Sequence, residues 1–168
     1  ALGVLTAVET LSGWAKAPAT GNARGVAFLK GFGSYIAMVA EVSLDSSKKI
    51  KVNKVFVAID CGIAVNPDSI EAQLQGGIAH GLTAAMWNQV TFAQGKPSVS
   101  NFDRYPVLKL RQMPLISVKI VESNAAPGGV GETGVPCVAP AVANAYAKLT
   151  KIRLRTLPFY PGVTMGDD

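Results

Sequence analysis

The chain has 168 residues, 49% of them hydrophobic and only 16% charged, with a formal net charge of +5. That length suits one domain or slightly more, and so dry a composition implies that apolar surface meets another domain or chain. The basic residues are scattered without interleaved aromatics, which argues against a nucleic-acid surface. No apolar run reaches the ~18 residues of a membrane span. His80 is the only histidine and Cys61 and Cys137 stand far apart, so no His/Cys metal cluster is expected.

The sequence opens on Ala1 without an initiating Met and without a secretory n- and h-region. It reads as a piece of a longer subunit, with a helix and linker over 1–23, a main domain over 24–159 and a tail over 160–168. Any export signal would lie on the missing part, and the compartment is either cytoplasm or bacterial periplasm.

Leu2, Leu5, Val8, Leu11 and Trp14 recur at helical spacing, so a first helix is expected before Ser12-Gly13. Residues 24–44 are rich in Val, Ile, Phe and Tyr and read as two strands joined or kinked at Gly31-Phe32-Gly33. A polar turn at Asp45-Ser46-Ser47-Lys48 leads to a strand over 49–59. Its apolar positions change parity near Asn53-Lys54, which predicts a bulge or a strand buried on both faces.

Asn66 fits an N-cap and Pro67 the first helical position. The helix should reach Met86 or Trp87, with Ile70, Leu74, Ile78 and Leu82 on its core face. Gln73, Gly77, His80 and Ala84 form a neighbouring strip. Gly76, Gly77 and Gly81 each cost about 1 kcal/mol against Ala inside a helix, so something must approach its axis closely. Another helix and a large rigid ligand are both candidates, and Gln73 would offer the ligand a donor and an acceptor.

A second hairpin is expected over 89–99 around Gln94-Gly95-Lys96. Irregular chain follows to Pro106, a short helical turn over 107–113, and a strand over 116–122. Then comes Gly128-Gly129-Val130-Gly131-Glu132-Thr133-Gly134-Val135-Pro136, four glycines around one carboxylate, ahead of an Ala- and Val-rich helix over about 136–149. Glycines let backbone approach a ligand closely, and a carboxylate held beside a ligand at a helix start is a candidate general base. The other reading is a glycine-rich connection in which Glu132 is only a helix-start charge. A last short strand is expected over 152–157. Strands and helices mix without regular alternation, so the fold class is α+β, antiparallel or mixed sheets with helices packed on one side.

Asp60-Cys61-Gly62 with Asn66-Pro67, Gln73-Leu74-Gln75-Gly76-Gly77 with His80-Gly81-Leu82, Asn101-Phe102-Asp103-Arg104-Tyr105-Pro106, Met113-Pro114 and Gly129-Val130-Gly131-Glu132 occur in one order. Together they resemble the xanthine oxidase and aldehyde oxidase family, in the C-terminal part of its large, molybdenum-cofactor-binding subunit. The similarity runs from Arg24 to Phe159 and points to the bacterial branch of isoquinoline 1-oxidoreductase type.

The resemblance implies hydroxylation of an N-heteroaromatic ring or an aldehyde, with water as the oxygen source. It implies a molybdopterin, in bacteria molybdopterin cytosine dinucleotide, whose dithiolene rather than any side chain holds the metal. By position Glu132 matches the family's catalytic glutamate and Gln73 a glutamine that hydrogen-bonds the cofactor. Gly76, Gly77, Val130 and Gly131 fall where the chain should pass near it. Partners implied are the remainder of the large subunit, a small subunit with two [2Fe–2S] clusters, and a small-molecule substrate, with no nucleic acid and no transmembrane segment. Thr133 stands where many relatives have Pro. The piece alone should be inactive. A non-catalytic interaction module that packs on a partner or binds a phosphate is the alternative; without a Lys after Gly134 the loop is no Walker A motif.

Overall fold

The computed structural model describes residues 1–161. Three helices, α1 (Leu2–Ser12), α2 (Pro67–Met86) and α3 (Val138–Thr150), surround a four-stranded sheet. Its strands are β1 (Ala23–Gly31), β2 (Ser34–Leu44), β3 (Ile50–Asp60) and β6 (Leu115–Ile120), side by side in that order. β1, β2 and β3 run antiparallel, and β6 joins β3 in parallel. A separate two-stranded hairpin pairs β4 (Phe92–Ala93) with β5 (Lys96–Pro97).

Alternation along β2 decides what each face touches. Ile36, Met38, Ala40 and Val42 join Val55, Val57 and Ile59 of β3 in the main core, which α2 and α3 close. Ala37, Val39 and Ala58 point the other way, onto Val4 and Val8 of α1. The two longer helices therefore share one side, as expected of the fold class, while α1 corrects that picture by lying on the opposite face. A buried charge ties α1 to that face. Arg24 Nε donates to Glu41 at 2.7 Å, and the same guanidinium reaches the Gly13 carbonyl at 3.0 Å beyond the end of α1.

The parity change in β3 is a bulge. Glu41 faces Lys54 and Val42 faces Val52, so Asn53 is the extra residue, and its amide donates to Ser43 Oγ at 3.0 Å. In consequence Val52 and Val55, three apart, both reach the main core. β6 pairs Leu115 to Ile120 with Lys54 to Ile59.

α2 begins as its sequence dictates, with the Ser69 amide donating to Asn66 Oδ1 at 3.0 Å and Pro67 in the first turn. Ile70, Leu74, Ile78 and Leu82 are all buried. Each such burial is worth about 1.5–3 kcal/mol, against about 1 kcal/mol lost per interior glycine, so the helix carries its three glycines with stability to spare. No described helix is long and apolar enough to cross a membrane.

Residues 152–157, expected as a strand, join no sheet. The segment instead runs toward the end of α2, where the Phe159 and Tyr160 amides donate to the Ala85 and Met86 carbonyls. Those carbonyls have no partner within a helix end, and satisfying them outweighs pairing a short edge strand. Of the expected tail, 162–168 lies outside the described residues.

Candidate active site

The β1–β2 turn, the end of β3 and the end of β6 meet at one edge of the sheet, and the glycine-rich segment lies across it. Backbone hydrogen bonds tie it, and the residues just before it, at three places. The Ile63 amide donates to the Ala125 carbonyl at 3.1 Å, the Gly128 amide to Cys61 at 2.8 Å and the Gly129 amide to Phe32 at 2.6 Å. Ser34 Oγ donates to the Gly129 carbonyl at 2.7 Å. Close approach explains two of the glycines. A Cβ on Gly62, whose φ is +73°, would collide with the Ala126 carbonyl oxygen. One on Gly128 would collide with Ser34 Oγ and the Gly33 carbonyl oxygen.

Asp60 anchors the near end. Its Oδ1 accepts from Ser123 Oγ at 2.7 Å and from the Gly62 amide at 3.0 Å. The Ser123 hydroxyl, then the Gly62 amide, hold its carboxyl below the usual 3.8.

Past Gly129 the chain folds onto α2. Thr133 is fully buried and donates to the Val130 carbonyl at 3.2 Å, and the Val135 amide closes on Glu132 at 3.0 Å. Gly134 rests on the backbone of Leu74, Gly77 and Ile78, and Val135 and Val138 fill the space beside Gly81. The room provided at Gly77 and Gly81 is therefore taken by this segment and by the start of α3. Of the two candidates for the close approach, another helix or a ligand, neither meets Gly77 here: it seats the loop at Gly134. α3 starts at Val138, so Glu132 precedes it by more than a turn and does not sit at the helix end itself.

Gln73, Gly76, Gly131 and Glu132 remain exposed on the outer side of this junction, with Val130 half-buried beneath them. A methyl group on Gly131 would lie 3.6 Å from Gln73 Nε2, and one on Gly76 would touch nothing. Neither the Gln73 amide nor the Glu132 carboxylate has a side-chain partner among the described residues. The nearer carboxylate on α2, Glu71, already accepts from Gln75 at 2.9 Å. His80 is exposed one turn beyond Gly77. Among the described residues no group of three or more His, Cys, Asp or Glu is placed to hold a metal ion.

Cys137, where the loop enters α3, is buried, and burial pushes its thiol up to about 11. Burial likewise raises Cys61. Both are free thiols and act as small packing residues.

This surface joins an uncommitted amide, an uncommitted carboxylate and two bare glycine backbones. Residues 8–114 match the molybdopterin cofactor-binding domain family. The chain belongs to that family. It is 37% identical to isoquinoline 1-oxidoreductase subunit beta of Brevundimonas diminuta over 164 residues, 95% of this chain and 21% of that protein. It is 29% identical to the membrane-bound aldehyde dehydrogenase (pyrroloquinoline-quinone) of Gluconacetobacter polyoxogenes over 79% of this chain and 17% of that protein. Among solved structures, quinoline 2-oxidoreductase from Pseudomonas putida 86 shares the fold with a TM-score of 0.67 at 24% identity, over 76% of this chain and 17% of that one. The chain thus spans about a fifth of the length of the curated relatives it matches.

Gln73 and Gly76 fall inside the family match and Glu132 lies beyond it, within the longer likeness to the isoquinoline enzyme. The residues present fit a pterin. Gln73 offers an unpaired amide that matches the donors and acceptors of such a ring, Gly76 leaves the space beside it open, and Gly131 adds no side chain next to Gln73. Sequence reasoning missed the β1–β2 turn as part of this site. The one available signal was Phe between two glycines, an odd residue for a turn that needs positive φ.

Proposed function

We propose that this chain supplies one wall of the active site of a molybdenum hydroxylase that oxidises an N-heteroaromatic or aldehyde substrate with water as the oxygen source. The observation that carries the reading is the pairing of an unpartnered Gln73 amide with the Gly131-Glu132 backbone, in a chain of the molybdopterin-binding family. The named relatives act on isoquinoline and aldehydes, which supports that substrate range.

The molybdenum cofactor, as molybdopterin cytosine dinucleotide, supplies the two-electron oxidation when bound. Gln73 hydrogen-bonds the pterin and fixes its orientation. Gly76 and Gly131 let it approach backbone, while Gly77 and Val130 support the loop from below. Glu132 would accept a proton from water as its oxygen bonds to the substrate carbon, while the C–H bond broken there gives up two electrons to the bound cofactor and releases one proton. A small partner subunit carrying [2Fe–2S] clusters would take up those two electrons.

The remainder of the large subunit covers the other side of the site, and the chain alone is inactive. Val26, 38% exposed, and Phe28, 43% exposed, lie on the α1 face of β1 beyond the reach of α1. Apolar surface of that kind supports such a cover.

In the complete enzyme, Glu132→Gln keeps the size of the side chain and removes the base. Turnover should fall by ~10²–10⁴ with molybdenum content unchanged. Substantial activity in a fully loaded variant would rule Glu132 out as the base.

A further inference from the structure

We propose that the β1–β2 turn is a positioning device for this active site, with the Ser34 hydroxyl and the Phe32 carbonyl as its two working groups. The inference rests on Glu132 as the base. Gly129 stands three residues before Glu132 on an exposed stretch, yet both of its backbone groups are spent on the turn. Its amide donates to Phe32 at 2.6 Å and its carbonyl accepts from Ser34 at 2.7 Å. Two bonds from neighbouring parts of one tight hairpin fix the position of the Gly129 residue and the direction in which it points. Toward Glu132 the chain is short and closed on itself through the Thr133 and Val135 bonds. Displacement at the clamp therefore reaches the carboxylate with little slack to absorb it.

Two oddities of the turn converge on that clamp. Phe32 has φ +58° and Gly33 φ +79°, the geometry of a type I′ turn, which ordinarily takes Asn or Gly at the first position. The bulky residue in this uncommon conformation is the one whose carbonyl meets Gly129, and such outliers collect where placement matters. Ser34 is fully buried, whereas a serine that merely closes a hairpin needs no burial. A general base must stand within hydrogen-bond reach of its proton, and a misplacement of about 1 Å costs up to ~10²-fold.

Ser34→Ala in the complete enzyme removes one half of the clamp and keeps the other. Turnover should fall about tenfold, with KM and molybdenum content within about twofold of the parent. Hydrogen exchange over 127–131 should quicken while the sheet stays protected. Unchanged turnover with a loosened loop overturns the proposal, and so does lowered turnover with an unchanged loop. Loss of molybdenum or of sheet protection also overturns it, because Ser34 would then serve folding. The unaltered enzyme gives a separate test: the Gly129 amide should exchange slowly although its residue is exposed, and fast exchange there defeats the clamp. An active Glu132→Gln variant would remove the base while leaving these exchange results intact, so the two failures are separable.

Discussion

The chain makes two hairpins with the same kind of turn, and they have different fates. Phe32-Gly33 closes β1–β2 and Gln94-Gly95 closes β4–β5, each pair with positive φ. The first hairpin has nine residue pairs, a buried second strand and a tip that holds Gly129. The second has two pairs, exposed throughout, and a Cβ on Gly95 would touch nothing. Its further bonds are local, between Thr91 and Ser98. Turn geometry alone therefore gives no function; what matters is whether a distant segment has been built to meet the tip. The first tip meets a segment nearly a hundred residues away and fastens the glycine-rich segment at Gly129.

The contrast breaks most sharply at Gly128. An added methyl group there has the Ser34 hydroxyl and Gly33 backbone in its way, so Gly128→Ala should lift the loop from the tip. Activity of the complete enzyme should fall by ~10²-fold, read as kcat at unchanged protein folding by circular dichroism. A fully active variant would mean that the loop position is not set at the tip.

Gly95→Ala sharpens the comparison from the other side. Its φ is +74° in open space, so only the left-handed conformation is penalised, by about 1–2 kcal/mol. That strain can relax within the exposed hairpin, so the measured loss of stability in a denaturant titration should not exceed about 1 kcal/mol, and activity should hold. A larger loss, or any loss of turnover, would show that this hairpin is tied to the rest.

The smallest effect is expected from acid. Asp60 has its folded pKa lowered by Ser123 and the Gly62 amide. Its contribution is present above the unfolded value and is lost as pH falls through the folded one. Both lie at or below the ordinary 3.8, so hydrogen exchange over 123–129 should rise only under strongly acidic conditions, while 91–98 shows no matching step. Asp60→Asn should abolish the step; its persistence would place the titrating group elsewhere.

Much of this was legible because the signals are local. Asn66-Pro67 announces the start of α2, and the change of parity near Asn53 announces the bulge; the glycines of the 128–134 segment announce a close approach, though not that it is made to the chain itself. What escaped was set by distant partners. Nothing between Leu115 and Ile120 states that the strand will pair in parallel with β3. Residues 152–157 have strand composition, yet the unpaired carbonyls of α2 draw the following residues away. Gly77 reads as room for another helix or a ligand, when its neighbour is Gly134, supplied by the chain's own loop. Gln73 and Glu132 share a site in the sequence only through the family resemblance; the packing that sets Gly131 beside Gln73, with Gly134 seated on α2, is not legible in either segment alone.

Asn53 is a spare residue in the ladder between β2 and β3. Elsewhere in such a strand, one added or lost residue turns every later side chain over. Here the pairs on either side of Asn53 are already consecutive on β2, Val42 with Val52 and Glu41 with Lys54. Removing Asn53 would close the ladder and leave Val52, Val55, Val57 and Ile59 on the sides they now occupy. Loss of this one residue therefore leaves the core pattern in place. What it alters is the local right-handed twist that a bulge adds, and with it the angle at which β3 delivers Asp60 to the edge where the glycine loop is fastened.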